Sequence, residues 1–290
     1  MSSPLVSVVI PAYNAEATIG ACLESVLQCL YDPFEVIVVD NASTDGTARI
    51  ISQRAAHDTR VRLVSAPVRG RGSARQTGIE SARGEIVVMT DADCVVPVDW
   101  VGRITERIRL GLSTAVVGSE TVNRQNYWAQ AFAHAHADFQ RSVRRGDAIL
   151  SVDTKNFACS RALLLELGFD RSLQNFEDLE LALRLRTRTT IYYVADVRVV
   201  HRYPESFAAA WRLCADRGFW TMSIFLRYHG MREARREPHF VSFRWHAVLL
   251  FPLWLFFESA VRPVKELPFF WLSEIAWRYG VVRALLTGQR

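Results

Sequence analysis

Lysine is almost missing from this sequence. Of 35 basic residues only Lys155 and Lys265 are lysine, so nearly all the positive charge is arginine. Arginine forks grip phosphate and carboxylate in two-point contacts. Cysteine is also scarce. The five cysteines, Cys22, Cys29, Cys94, Cys159 and Cys214, are odd in number and include no C-x-x-C pair. That argues against a disulfide scaffold and a zinc ribbon, and favours a reducing compartment. The N-terminus, MSSPLVSVVIPAYN, has no basic leader and no long apolar run, so no signal peptide is expected. The longest uninterrupted apolar run, AVLLFPLWLFF at 247–257, falls short of the roughly 20 residues that span a bilayer. No G-x-G-x-x-G follows the first apolar strand, which removes the main support for a dinucleotide-binding domain. No nucleic-acid motif accompanies the basic charge, so nucleic acid is not an expected partner.

What is present is enough for one large α/β domain and a helical appendage. The chain has 290 residues, 50% hydrophobic and 22% charged, with a net charge of +5. Apolar runs at 5–10, 34–39, 61–66 and 85–90 read as strands. Helical stripes at about 15–29 and 47–56, and a Gly-rich basic turn GRGSAR running into a third helix, separate them. This β-α-β-α-β-α-β rhythm implies an α/β fold with a mostly parallel, right-handed wound sheet and flanking helices. The fourth run, Ile86 to Met89, ends in Asp91-Ala92-Asp93. Two carboxylates just past a strand's C-terminal end lie where open α/β sheets bind ligands, and their oxygens suit a hard divalent cation. Such a triplet alone is weak evidence, because two nearby acids often only solvate a loop.

Taken together, VSVVIPAYN, VIVVDNASTDGT and GRGSARQTGIESARGEIVVMTDAD resemble the nucleotide-sugar half of family-two glycosyltransferases with the GT-A fold. The resemblance covers about the first 98 residues. It implies that Pro11, Tyr13 and Asn14 lie against the nucleoside and that Asp40 meets the uracil ring. Arg75 would sit near base and phosphates, Asp91 would reach the ribose and donor sugar, and Asp93 would bind the metal. Gln76 and Asn41 depart from the family habit of Asn and Asp, without removing a charge the chemistry needs. Each residue also has an ordinary structural reading: Asp40, for example, could serve only as an acid near a helix start.

The resemblance resumes at KNFACS (155–160) and at GFDRSLQNFEDLELALRLR. Glu177 and Asp178 open an amphipathic helix, where the helix dipole favours acids in any case. The functional reading makes Asp178 the general base that takes the acceptor's proton, with Glu177 in support. Residues 190–195 and 197–200 read as two edge strands ending at His201, which in the family often completes the metal site with Asp93 and Asp91. The expected cofactor is a divalent cation, Mn²⁺ or Mg²⁺. His134, His136 and Asp138 also suggest a metal site, but helical residues two apart point about 200° away from each other, which disfavours it.

Residues 204–290 read as a separate aromatic-rich helical appendage, with residues 1–203 as the catalytic domain. Its Trp, Tyr and Arg suit helices lying in a membrane interface; a buried hairpin or a dimer contact is the plainer alternative. The expectation is therefore an inverting, metal-assisted hexosyltransferase. It would move a sugar from a nucleotide-sugar donor, a UDP-sugar by preference, to a lipid-linked or glycan acceptor. Its place would be cytoplasmic, at the inner face of the membrane in peripheral contact. A nucleotidyltransferase would carry its Gly-rich basic signature after the first strand, whereas GRGSAR follows the third. A non-catalytic sugar-nucleotide-binding or membrane scaffold would not need the intact DAD and ED motifs.

Overall fold

The structure, a computed structural model, describes residues 3–66, 68–122, 126–234, 237, 240 and 251–287. The chain forms two compact units. One comprises Met1–Asn123 with Gln140–Arg202, the other Arg124–Phe139 with Tyr203–Arg290. The stretch 124–139 lies inside the first segment expected from the sequence, yet groups with the second unit.

The first unit is built on one mixed sheet. Strands β1 (Val6–Ala12), β2 (Phe34–Asp40), β3 (Val61–Ser65) and β4 (Ile86–Met89) alternate with helices α1 (Ile19–Leu27), α2 (Thr47–His57) and α3 (Arg71–Ser81). β1, β2 and β4 are buried almost throughout, the mark of strands covered on both faces. They lie parallel in the order β3-β2-β1-β4. The chain moves outward from β1 to β3, then returns to the other side of β1 with β4. The strand order therefore reverses between β1 and β4, and open α/β sheets bind ligands at such a switch point. α1 starts at Ile19 rather than Ala15. Residues 15–18 form a turn instead, whose Ala15 carbonyl accepts from the Thr18 and Ile19 amides at 2.9 Å each.

Beyond β4 come β5 (Cys94–Val95), α4 (Trp100–Arg109), β6 (Ala115–Thr121), α5 (Tyr127–Val143), β7 (Arg144–Arg145), β8 (Ala148–Ile149), β9 (Phe157–Ser160), α6 (Arg161–Leu167), α7 (Glu177–Leu185) and β10 (Ile191–His201). β9 runs antiparallel between β4 and β6. The two edge strands expected at 190–195 and 197–200 are instead one interior strand, β10. It pairs with β6 on one side and with β8 and β5 on the other. A register shift between Val194 and Arg198 bends the strand without breaking it, which hides its continuity in a period-two reading.

Asn156 fastens this bend. Its Nδ2 donates to the carbonyls of Ser119 (2.7 Å) and Val197 (2.9 Å), and its Oδ1 accepts from Trp100 Nε1 at 2.9 Å. Gly118 makes room for it, since a Cβ there would lie 2.1 Å from Asn156 Nδ2. All five cysteines are buried and free.

In the second unit, α8 (Phe207–Tyr228), α9 (Phe251–Val261) and α10 (Leu267–Thr287) follow the first three turns of α5. α8 and α10 touch backbone to backbone. A Cβ on Gly218 would lie 1.8 Å from the Trp277 carbonyl oxygen, and one on Gly280 the same distance from that of Ala215. Of the expected apolar run at 247–257, residues 247–250 lie outside the described residues. Among the described residues no helix is long and apolar enough to cross a membrane.

Because Asn156 satisfies three buried groups at once, Asn156→Ala should destabilise the first unit by about 3 kcal/mol. Urea denaturation followed by near-ultraviolet circular dichroism would read this as a lower midpoint. An unchanged midpoint would show that the bend holds without it.

Candidate active site

A cavity of about 440 Å³ opens at the switch point, at the C-terminal ends of β1 and β4 and the N-terminal end of α3. Pro11, Tyr13, Asn14, Arg75, Asp91 and Asp93 line it. Asp40, Glu177, Asp178 and His201, also expected at the site, are not among the lining residues. Asp40 ends β2 one strand away, opposite Ala12, and its Oδ1 lies 3.4 Å from the Ser43 amide. Its neighbour Asn41 does line the cavity.

Polar side chains fix the loops around this opening. Asn14 takes a left-handed conformation with φ 47°, which asparagine tolerates better than most residues. Its Oδ1 accepts from the Thr44 amide at 2.8 Å, and its own amide donates to Ser43 Oγ at 3.1 Å. Buried Asn41 accepts from the Gly70 amide at 2.7 Å and donates to the Val68 carbonyl at 2.9 Å. The turn that opens α3 is thereby tied to the end of β2.

Arg75 is the most buried charge here, with its side chain 1% exposed. One guanidinium nitrogen donates to Asp91 Oδ1 at 2.6 Å and the other to Glu177 Oε1. Burial alone would lower its pKa. Glu177, Asp91, Asp178 and Asp153 outweigh that and raise it, so the guanidinium stays charged. Phe176 sits at φ 60° and turns the chain sharply into α7, so Glu177 faces Arg75 from the helix's first turn. Asp178 follows, its Oδ1 accepting from the Leu179 amide at 2.8 Å. Burial, then the Glu177 charge, push its carboxyl up to about 6, against the opposing pull of Arg75.

A second group forms beside the DAD triplet. β5 pairs antiparallel with β10 so that His201 faces Cys94. His201 Nε2 then lies 3.6 Å from Asp93 Oδ2. Ligand atoms of Asp93, Cys94 and His201 fall within 4.8 Å of one another; Asp91 is not in this group, and one of its oxygens is held by Arg75. Burial opposes ionisation of Asp93, but His201 beside it holds its carboxyl below the ordinary range. Burial, then Asp91 and Asp93, push the Cys94 thiol well above its ordinary range, and a soft sulfur is a poor match for a Mn²⁺-like ion. A carboxylate and an imidazole remain. That donor set fits a Mn²⁺-like divalent ion that takes its other ligands from a bound molecule.

Arg69, Arg71 and Arg202 also line the cavity and are absent from the sequence-based site. Arg69 lies over the Tyr13 ring, 4.3 Å from its centroid, and Arg71 donates to Asn175 Oδ1 at 2.7 Å. Their signal was available: two flank the glycine of the Gly-rich turn, and the third follows His201 directly. His134, His136 and Asp138 lie on α5, as the helical reading placed them.

The model of glycosyl transferase family 2 matches residues 7–168. The chondroitin synthase of Escherichia coli is 31% identical over 182 residues, which is 63% of this chain and 26% of that protein. The undecaprenyl-phosphate 4-deoxy-4-formamido-L-arabinose transferase of Aeromonas hydrophila is 37% identical over 130 residues, 43% of this chain and 39% of that one. The chain spans between about a fifth and two fifths of the length of the curated relatives it matches. Among solved structures, the mannosyltransferase PcManGT from Pyrobaculum calidifontis in complex with GDP-Man and Mn²⁺ superposes with a TM-score of 0.71 at 22% identity. The match covers 98% of this chain and 88% of that one. At that identity the likeness speaks for the fold, an α/β GT-A arrangement with a mixed central sheet.

Proposed function

The chain belongs to glycosyl transferase family 2, and from that premise we propose that it is an inverting glycosyltransferase that moves a sugar from a nucleoside diphosphate, a UDP-sugar by preference, to an acceptor hydroxyl. One observation carries this reading. Buried Arg75 binds Asp91 of the DAD triplet and Glu177 of the ED pair at once, beside a cavity at the sheet's switch point. About 440 Å³ lies within the range of small-ligand sites.

In this reading the nucleoside lies against Pro11, Tyr13 and Asn14, with Asp40 toward the base. Arg69, Arg71 and Arg202 face the diphosphate, where planar guanidinium forks suit phosphate oxygens. Asp91 reaches the ribose and donor sugar. Asp93 and His201 would hold a divalent cation, Mn²⁺ or Mg²⁺, with Asp91 reaching it through water; when bound, it adds positive charge next to the leaving diphosphate. Asp178 takes the acceptor's proton as that oxygen attacks the anomeric carbon. The bond to the diphosphate breaks on the opposite face, and the diphosphate leaves with the electron pair. No sugar–enzyme intermediate is needed. Glu177 acts indirectly, neutralising Arg75 and making Asp178 more basic.

The acceptor is proposed to be lipid-linked, as the name of the Aeromonas relative says of that protein's substrate. Trp271, Ile275, Tyr279 and Val282 project from one side of α10 as an exposed aromatic and aliphatic stripe. Side chains of this kind, apolar with polar tips on the Trp and Tyr, settle at lipid interfaces. Peripheral contact with the inner face of the membrane through this stripe completes the proposal.

Four outcomes test it. Asp178→Asn should keep nucleotide affinity and lose about 10²- to 10⁴-fold in turnover. Only the ionised carboxylate accepts a proton, and the carboxyl is raised to about 6. The kcat/KM of the wild type should therefore climb with pH through about 6 and level off above it; a flat profile there would dismiss Asp178 as base. Thermal shifts with UDP, GDP and dTDP, with and without Mn²⁺, should show one nucleotide stabilising by about 2.7 kcal/mol at a hundred times its dissociation constant. That shift should shrink when the cation is chelated. No shift with any nucleotide would leave the family fold without this activity. Flotation with anionic vesicles should recover the wild type but not Trp271→Glu/Ile275→Glu. Equal recovery of both would remove the stripe from the contact.

A further inference from the structure

β10 holds His201 between two neighbours. On one side β5 presents Cys94 opposite it, with Asp93 adjoining. On the other side β6 runs parallel, and Glu120 stands in register with Val199, two residues before His201. The imidazole therefore lies between two carboxylates. Its Nε2 is 3.6 Å from Asp93 Oδ2, and its Nδ1 is 3.6 Å from Glu120 Oε2.

Glu120 is no solvated strand-end acid. Its side chain is 4% exposed, and Lys155 Nζ reaches its Oε2 at 3.0 Å. Lys155 in turn binds both oxygens of Asp153, at 2.8 and 2.7 Å. An ionised carboxylate this deep stays only where a partner compensates its lost hydration. Lys155, one of the chain's two lysines, supplies that compensation from between two acids.

We infer that Glu120 is a positioning residue for His201: its carboxylate, 3.6 Å from Nδ1 and so within charge range rather than hydrogen-bonded in this structure, favours the proton on Nδ1 and leaves Nε2 as the lone-pair nitrogen turned toward Asp93. This rests on the cation-assisted reading of the Asp93–His201 pair. A histidine that binds a metal through one nitrogen commonly donates from the other to a carboxylate. That fixes its tautomer and orientation, and losing the partner typically weakens the metal by 10- to 100-fold. Lys155 has a further task, keeping Glu120 in place and charged.

The experiment measures Mn²⁺ affinity by the electron paramagnetic resonance signal of free Mn²⁺, with UDP present, on the full chain. Glu120→Ala should bind Mn²⁺ about 10- to 100-fold more weakly than wild type, and Glu120→Gln, which keeps an acceptor oxygen, should fall between. Melting temperatures in chelator should stay close to wild type, because Lys155 keeps Asp153. Wild-type Mn²⁺ affinity in both variants would overturn the inference while leaving the cation reading standing. If the wild type takes up UDP but no Mn²⁺, the cation reading fails and the inference fails with it. Should the variants not fold, ¹⁵N shifts of the His201 ring in wild type with Mg²⁺ and UDP decide the matter. A proton on Nδ1 supports Glu120 as positioner, and a proton on Nε2 overturns it.

Discussion

A guanidinium that is 1% exposed cannot stand alone, and the site is arranged around that constraint. Arg75 enters the core on α3 and must find anions there. It finds one at the end of β4 and one at the start of α7, 16 and 102 residues away along the chain. Removing Arg75 would strand Glu177, itself 2% exposed, as an unpaired buried charge, a loss of about 3–5 kcal/mol by general experience. The bridge thus serves fold and site together: the sheet's ligand-binding end and the helix carrying Asp178 are held in one place by the same ion. The left-handed Phe176 is consistent with this. A strained residue persists where its surroundings dictate it, and here the ion pair dictates where α7 begins.

The same charges set the basicity of Asp178. Arg75 alone would hold its carboxyl low. Burial and the Glu177 carboxylate act the other way and win, bringing it to about 6. An acid at its ordinary value would be a weak proton acceptor, and one pushed far higher would be protonated at neutral pH. Pairing Arg75 with Glu177, rather than with Asp178 itself, lets a strong cation lie close to Asp178 without holding its carboxyl low.

Much of this was readable in the sequence because it is local. β1, β2 and β4 are short apolar runs that can be little else than buried strands, and their punctuation placed Asp91 and Asp93 at a strand end. Glu177 and Asp178 were readable from a helix stripe that begins just after them. What escaped depends on pairing at a distance. β5 has only two residues and so no period to detect; the resemblance grouped His201 with Asp93, and β5 is the unforeseen strand that pairs with β10 beside them. β10 was split in two because its bend interrupts the alternation, and the residue that repairs the bend, Asn156, lies 41 positions from the carbonyl it caps at Val197. Asp40 shows the finest grain of the problem. The strand end was placed correctly, and the residue that lines the cavity directly is its neighbour Asn41.

The near-absence of lysine gains a meaning once the residues are placed. The cavity is lined by Arg69, Arg71, Arg75 and Arg202 and by no lysine. Guanidinium forks there present flat, divided donors, which suit phosphate oxygens and allow Arg69 to lie over Tyr13. The first unit's single lysine, Lys155, takes the opposite position, buried between Glu120 and Asp153. A compact ammonium with three donors can serve two carboxylates in that space without the breadth of a guanidinium. The choice between the two cations therefore follows geometry. Arginine lines the cavity, where planar forks suit a multidentate anion, and lysine fills a closed gap between two carboxylates.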